Sequence, residues 1–301
     1  MASKLCPDIE PVLPVDLFGE SPDTRSIAIM REFAPEEGYY LAFSGGKDSV
    51  VLYDLAVRSG VQFEAHYNLT TIDPPELVQF IKREYGGKPL GISTVEGPFV
   101  EIDKPEHSFW WYIRNRYGLP FRNARWCCEV LKERGGEARR CLVGVRAQES
   151  SKRAAYGTVR QCNKANSKGK VLVSPILHWT TDDIWGYIHA RKIPYCSLYD
   201  EGWKRIGCIL CPFNSQDETD RAVARWPKLF AGLLRAMEEV YDTQKSWQKF
   251  GSAKNVLEYW LDRKRSYPSE DDEQMTFDQF GEDAEVTSEA TGSSPTASAP
   301  L

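Results

Sequence analysis

The chain has 301 residues, 42% of them hydrophobic, and a formal net charge of −5, which is enough for one large α/β domain or one domain with a small appendage. No stretch reaches the roughly 18 consecutive apolar residues of a membrane span, and the first thirty residues lack the basic start and apolar core of a secretory leader, so a cytoplasmic chain with no membrane role is expected. Eight cysteines without such a leader argue for thiols and metal ligands over a disulfide framework.

Residues 1–38, rich in Pro, Asp and Glu, read as an irregular lead-in with one short helix around 24–33. An apolar run at 39–43 reads as a buried strand, and the next residues are Ser44, Gly45, Gly46, Lys47, Asp48 and Ser49, followed by an apolar segment of helical period. A strand that ends in two glycines and turns straight into a helix leaves backbone N–H groups pointing one way, with the positive end of the helix dipole behind them. Two serine hydroxyls, glycine amides and Lys47 suit a pyrophosphate, and Asp48 is expected to orient the loop or help carry Mg²⁺. Helical capping alone explains the Ser and Asp but requires neither glycine nor lysine. The spacing is not that of the Walker A loop, whose lysine directly precedes the hydroxyl residue.

Beyond the loop the pattern alternates. A helix is expected at 48–59, a strand at 61–67, a helix at 75–85, a weak strand near 91–94 and a helix at 108–117. Helix 126–134, strand 141–145, strand 171–174, helix 181–191 and further helices within 217–262 follow. Strands alternating with helices of this length imply a Rossmann-like parallel sheet flanked by helices, with ligands at the carboxyl ends of the strands. Four segments are expected: the lead-in 1–38, a nucleotide-binding domain 39–215, a helical extension 216–268, and a tail 269–301. The tail carries nine Asp/Glu and no Lys or Arg, a composition that cannot offset its ordering entropy, so it is expected to be disordered. Removing those nine charges from −5 leaves the rest of the chain at about +4.

Cysteines at 127, 128, 208 and 211 form a second constellation. A C-x-x-C turn aims two thiolates at one centre, and an adjacent pair supplies two more where the chain bends. Spacing fits tetrahedral zinc and a cubane iron–sulfur cluster equally. Cys6, Cys141, Cys162 and Cys196 lack ligand spacing, and Cys141 reads as core. The segment 144–153, with Arg146, Ser150 and Arg153 after a strand, is rich in groups that bind phosphate and ribose. Trp179 and Trp185 read as packing around a helix capped by Thr180. The stretch 152–170 has six Lys/Arg but one aromatic, Tyr156, a thin platform for nucleic acid.

Ser44-Gly45-Gly46-Lys47-Asp48-Ser49 resembles the loop of the PP-loop ATP pyrophosphatase superfamily, which includes the PAPS and APS reductases, tRNA thiolation enzymes, and asparagine and GMP synthetases. The resemblance implies the adenine nucleotide α-hydrolase-like fold, binding of ATP or of APS/PAPS, chemistry at the α-phosphate with Lys47, Asp48 and Arg146 in catalytic roles, and Asp73, in the family's next nucleotide-contacting loop after the second strand, at the ribose or the metal. Cys127-Cys128, Lys132 and Ile206-Gly207-Cys208 with Cys211 resemble the [4Fe-4S] segment of assimilatory APS reductases, which implies an iron–sulfur cluster with Lys132 near it and zinc as the less favoured occupant. The segment from Gly144 to Arg153 and residues 174–213 track the reductases collinearly, so the likeness spans about 36–215.

It is strongest to reductase-like proteins of phages, mobile elements and defence loci, and close in character to DNA phosphorothioation ATP pyrophosphatases and type IV CRISPR accessory proteins. Those reductases attack sulfur with a cysteine near their C-terminus, and here no cysteine follows Cys211. Two readings follow: an adenylyl-transferring enzyme that prepares an acceptor such as nucleic acid for sulfur from a donor protein, or a nucleotide-binding accessory protein of a nucleic-acid-targeting defence complex. A reductase using an external thiol is a third. A homodimer is compatible with each.

Overall fold

The computed structural model describes residues 6–86, 97–162 and 169–262. Helix α1 (Pro22–Glu32) begins in a capping box at Ser21 and leads to strand β1 (Tyr39–Ala42) and helix α2 (Lys47–Ser59), which ends at Gly60 in the left-handed conformation. Strand β2 (Phe63–Asn68), helix α3 (Pro75–Glu84) and strand β3 (Val100–Asp103) follow. Helix α4 (Phe109–Tyr112) continues as a π-helical turn, Ile113–Tyr117, and a second π turn covers Cys128–Lys132. Then come β4 (Arg140–Leu142), α5 (Ser151–Ala154), β5 (Val159–Gln161), β6 (Val171–Val173), α6 (Thr181–Arg191), α7 (Gln216–Arg225), α8 (Pro227–Glu238) and α9 (Ala253–Leu261).

The described strands form one sheet in the order β3-β2-β1-β4-β6-β5. All neighbours are parallel except β5, which runs antiparallel to β6. The expected parallel Rossmann-like sheet is thus present, with one antiparallel edge that Val159-Arg160-Gln161 gave no apolar signal for. The chain steps outward from β1 to β2 and β3 on one side and from β4 to β6 on the other. β1 and β4 therefore flank the point where strand order reverses, the place where open sheets of this kind leave a crevice at their carboxyl ends.

Helix α2 shows why the phosphate loop is fixed in place. Val50, Val51, Leu52, Leu55 and Ala56 are fully buried, so the helix is apolar on most of its circumference and packs between the sheet and helices α1 and α6. A polar network ties those helices together: Arg58 bonds Asp23 of α1 at 2.9 Å and Tyr187 of α6 at 2.8 Å, and Tyr187 donates to Asp54 at 2.7 Å. Trp179 is buried with its indole N–H donating to Ser26 at 3.0 Å, and Thr180 and Asp183 cap α6 reciprocally; both match the sequence reading.

Other expectations need adjustment. The helix expected at 126–134 is one π turn, and strand 141–145 is shorter, Arg140–Leu142. The weak strand near 91–94 and the acidic tail lie outside the described residues, and β3 lies at Val100–Asp103 instead. Among the described residues no helix is long and apolar enough to cross a membrane.

Candidate functional site

Gly45 has φ +71°, a left-handed backbone that favours glycine, and a Cβ there would lie 2.7 Å from the Leu77 and Ile81 methyls of α3. The first glycine thus seats the loop against α3. Gly46, the N-cap of α2, brings no side-chain cap of its own. Instead the Ser44 hydroxyl accepts from Gly46 N–H at 3.4 Å, and Ser49 donates to Gly46 C=O at 2.8 Å. Gly45→Ala is expected to cost roughly 2–4 kcal/mol, the sum of left-handed strain and overpacking, measured as a lowered denaturation midpoint; an unchanged midpoint would show that the loop has slack.

Across the crevice, the chain leaving β4 brings Arg146 over the start of α2. Its Nε lies 2.6 Å from Asp48 Oδ1, while Asp48 Oδ2 lies 3.0 Å from Lys47 Nζ. Arg146 is buried, and it also donates to Gln148 Oε1 at 3.0 Å and Trp179 C=O at 3.3 Å. Gly144 lets this crossing happen, since a Cβ there would press on the Asp48 backbone at 3.3 Å. Both Asp48 oxygens are therefore engaged by cations. The carboxylate thus bridges Lys47 of the loop and Arg146 of the segment after β4.

Tyr199 is the main feature that sequence reasoning missed. Its hydroxyl accepts from the Lys47 backbone N–H at 2.9 Å, satisfying an orphan donor of α2 from a 3₁₀ turn, Ser197–Tyr199, that is 152 residues away. Burial pushes its phenol well above the usual value, so the hydroxyl stays protonated. Trp185 packs edge-on against Tyr199 and also lines the cavity, so it is more than the packing residue expected from sequence.

The loop opens into a cavity of about 1150 Å³ whose walls include Ser44, Lys47, Arg146, Arg153, Trp185 and Tyr199. Arg153 is paired with Glu149, which in turn accepts from Arg146 N–H at 2.9 Å. Ser150 is not brought to this wall; its hydroxyl caps α5 by accepting from Arg153 N–H at 3.3 Å. Asp73 does reach the cavity, accepting from Thr70 N–H at 2.7 Å beside Tyr67 and Lys132. Burial raises its carboxyl above the usual range, with the Thr70 bond, Tyr67 and Lys132 opposing. The turn is strained: Thr71, β-branched, sits at φ +65° and its hydroxyl accepts from Phe109 N–H at 2.9 Å.

That turn separates the large cavity from a second, smaller one of about 60 Å³ lined by Cys127, Cys128, Cys208 and Cys211, with Lys132 and Trp226. Ile209 N–H donates to Ile72 C=O at 2.9 Å and Cys208 Sγ lies 3.5 Å from Thr70 Oγ1, so the two cysteine segments meet on the far side of the 70–73 turn. Cys208 and Lys132 line both cavities. The Cys127 and Cys128 thiols share a hydrogen bond that keeps the proton on Cys127 and lowers Cys128, with Lys132 adding to the lowering. Burial raises Cys208 to about 11 against the pull of Lys132, and the cysteines, Cys208 foremost, raise Lys132 in return. The ammonium thus stays charged beside them. Cys196, Cys141 and Cys6 are buried with thiols raised by desolvation, which suits inert core residues.

The chain is similar to several known proteins. An uncharacterized protein of Methanocaldococcus jannaschii is 30% identical over 227 residues, which cover 70% of this chain and 44% of that protein. The chain spans about half the length of the two archaeal relatives it matches. The adenosine 5′-phosphosulfate reductase of Geobacillus thermodenitrificans is 33% identical over 65% of this chain and 81% of its own. Among solved structures, the PAPS reductase of Candida auris in its phosphate complex matches with a TM-score of 0.46 at 17% identity, covering 64% of this chain and 90% of that one. The family model of the phosphoadenosine phosphosulfate reductase domain matches residues 38–214, from the start of β1 through the last of the four clustered cysteines, and the chain belongs to that family.

Proposed function

We propose that the chain binds an adenine nucleotide on the 44–49 loop and acts at its α-phosphate, as an ATP pyrophosphatase that adenylylates an acceptor for later sulfur transfer. The observation that carries this reading is the Lys47–Asp48–Arg146 bridge at 3.0 and 2.6 Å across the β1/β4 crevice. It holds two cations at fixed positions beside the dipole end of α2, where charge on bridging and leaving phosphate oxygens develops. In the step itself an acceptor oxygen attacks the α-phosphorus, the bond to the bridging oxygen breaks, and pyrophosphate leaves with the electron pair; sulfur then displaces AMP. Lys47 and the loop amides bind the departing pyrophosphate, and Asp48 keeps Arg146 and Lys47 from drifting apart.

At about 1150 Å³ the cavity exceeds the roughly 300–1,000 Å³ of ordinary small-molecule sites, which leaves room for an acceptor beside the nucleotide. A nucleic-acid acceptor suits the bases Arg153, Lys204 and Arg205 and the rings Trp185 and Trp203 on the same walls. Cys127, Cys128, Cys208 and Cys211 are the residues that would hold an iron–sulfur cluster. The four line one small cavity, where Cys208 Sγ lies 3.5 Å from Thr70 Oγ1 and Lys132 stands beside them, and four thiolates around one cavity suit such a cluster. Such a cluster, when bound, would supply a sulfur or electron relay; the Lys132 ammonium would offset the negative charge of its thiolates and also lines the nucleotide cavity.

The test is titration of the full chain with a non-hydrolysable ATP analogue. Saturable binding that falls at least about tenfold in Lys47→Ala, with the fold intact by circular dichroism, is expected. Equal affinity in the variant would remove the loop from the nucleotide site.

A further inference from the structure

His66, which lines the large cavity, belongs to a third cluster that neither the phosphate loop nor the cysteines use. His66 lies on β2 beside Glu101 of β3, its partner in register, with Asp103 two residues on and so on the same face of the sheet. His66 Nδ1 lies 3.0 Å from Asp103 Oδ2 and 3.9 Å from Glu101 Oε2, and among the described residues this is the set of three ligand-type atoms mutually within 4.8 Å. His66 lines the nucleotide cavity, and its backbone C=O accepts from Phe43 N–H at 2.9 Å, one residue before the loop begins.

We propose that His66, Glu101 and Asp103 form a site for a divalent transition ion of the Mn²⁺ or Zn²⁺ class beside this cavity. Donor atoms held about 2.1 Å from an ion stand about 3.0–3.5 Å apart; Asp103 already meets that spacing, and Glu101 meets it by a small side-chain rotation. The other ring nitrogen, Nε2, faces Glu64 Oε2 at 3.8 Å, the carboxylate partner that a metal-bound imidazole characteristically has behind it. Glu64 is itself held by Arg139. The ring cannot swing freely, because it stacks on Tyr40 at 4.4 Å with an 8° interplanar angle.

Charge argues the same way. Three carboxylates surround one imidazole. Arg139 answers Glu64, while the Arg134 guanidinium is spent on the backbone carbonyls of Asp103 and Lys104. The two remaining carboxylates, side by side on an edge strand, repel each other until a cation enters. One nitrogen and two carboxylate oxygens suit Mn²⁺ or Zn²⁺ better than Mg²⁺, which prefers oxygen and its own waters.

This site does not depend on the nucleotide reading, because the ion alone is the probe. Mn²⁺ is a hard ion that discriminates against the thiol pocket, so the full chain is titrated with Mn²⁺ and the free ion read by electron paramagnetic resonance. One ion per chain is expected, with affinity lowered at least about tenfold in Asp103→Asn and in Glu101→Gln. Glu64→Gln, which alters the side chain 3.8 Å from Nε2 and its ion pair with Arg139, is expected to weaken binding by a smaller factor. Thermal unfolding of the variants separates loss of the site from loss of the fold. No stoichiometric Mn²⁺, or Mn²⁺ binding that survives both carboxylate changes in folded protein, overturns the proposal.

Discussion

Replacing Arg146 by alanine is expected to destabilise the protein by about 3 kcal/mol and to abolish nucleotide binding together. The guanidinium is 4% exposed and its Asp48 partner 19%, so the pair sits where breaking one half leaves a poorly solvated charge behind, a loss of about 3–5 kcal/mol for fully buried pairs. The lower end applies because Lys47 stays beside Asp48 and water reaches the carboxylate. Asp48→Asn is expected to cost less, since the amide oxygen still accepts from Arg146. The diagnostic result comes from combining Arg146→Met with Asp48→Leu: the double variant should lose at least about 1 kcal/mol less than the two single losses added, while nucleotide binding stays absent. Strict additivity in chemical denaturation would show that the two side chains do not act as a unit.

The second large effect is expected at Cys208. Cys208→Ser removes the one clustered sulfur that lines both cavities. Anaerobically prepared protein should show visible absorption from an iron–sulfur chromophore and lose it, with its iron and acid-labile sulfide, in this variant. Cys196→Ser, a change in a fully buried residue outside the cluster, should leave the absorption in place. A colourless wild-type protein that carries stoichiometric zinc would contradict the cluster and leave the nucleotide reading standing, since the 70–73 turn separates the two pockets.

Which parts of this were legible in the sequence follows from the range of the interactions. The phosphate loop was readable because its chemistry is local: two glycines, a lysine and the strand-to-helix switch lie within eleven residues. The Arg146 segment was readable only as a charged turn after a strand. That its guanidinium would reach Asp48, 98 residues away, depends on β4 pairing with β1, which no local pattern states. Tyr199 left no signal, because an aromatic at the end of a 3₁₀ turn looks like packing until its hydroxyl is seen on Lys47 N–H. The cation cluster was missed for a related reason. Val100-Glu101-Ile102-Asp103 is a short, charged edge strand, and without β3 in place His66 was one of four scattered histidines. The sheet itself was legible where strands are buried on both faces and obscure at its two edges, where alternation with charge or a basic composition masks the pattern.

The central claim, that the 44–49 loop presents the α-phosphate of an adenine nucleotide for cleavage, is tested most directly by the products. ATP labelled at the α-phosphorus is incubated with the full chain and a divalent ion, and the label is followed. The account predicts release of unlabelled pyrophosphate, with the label in AMP or in an adenylylated acceptor, and loss of this activity in Lys47→Ala. Appearance of labelled ADP with free phosphate, which means cleavage between the β- and γ-phosphates, would contradict it.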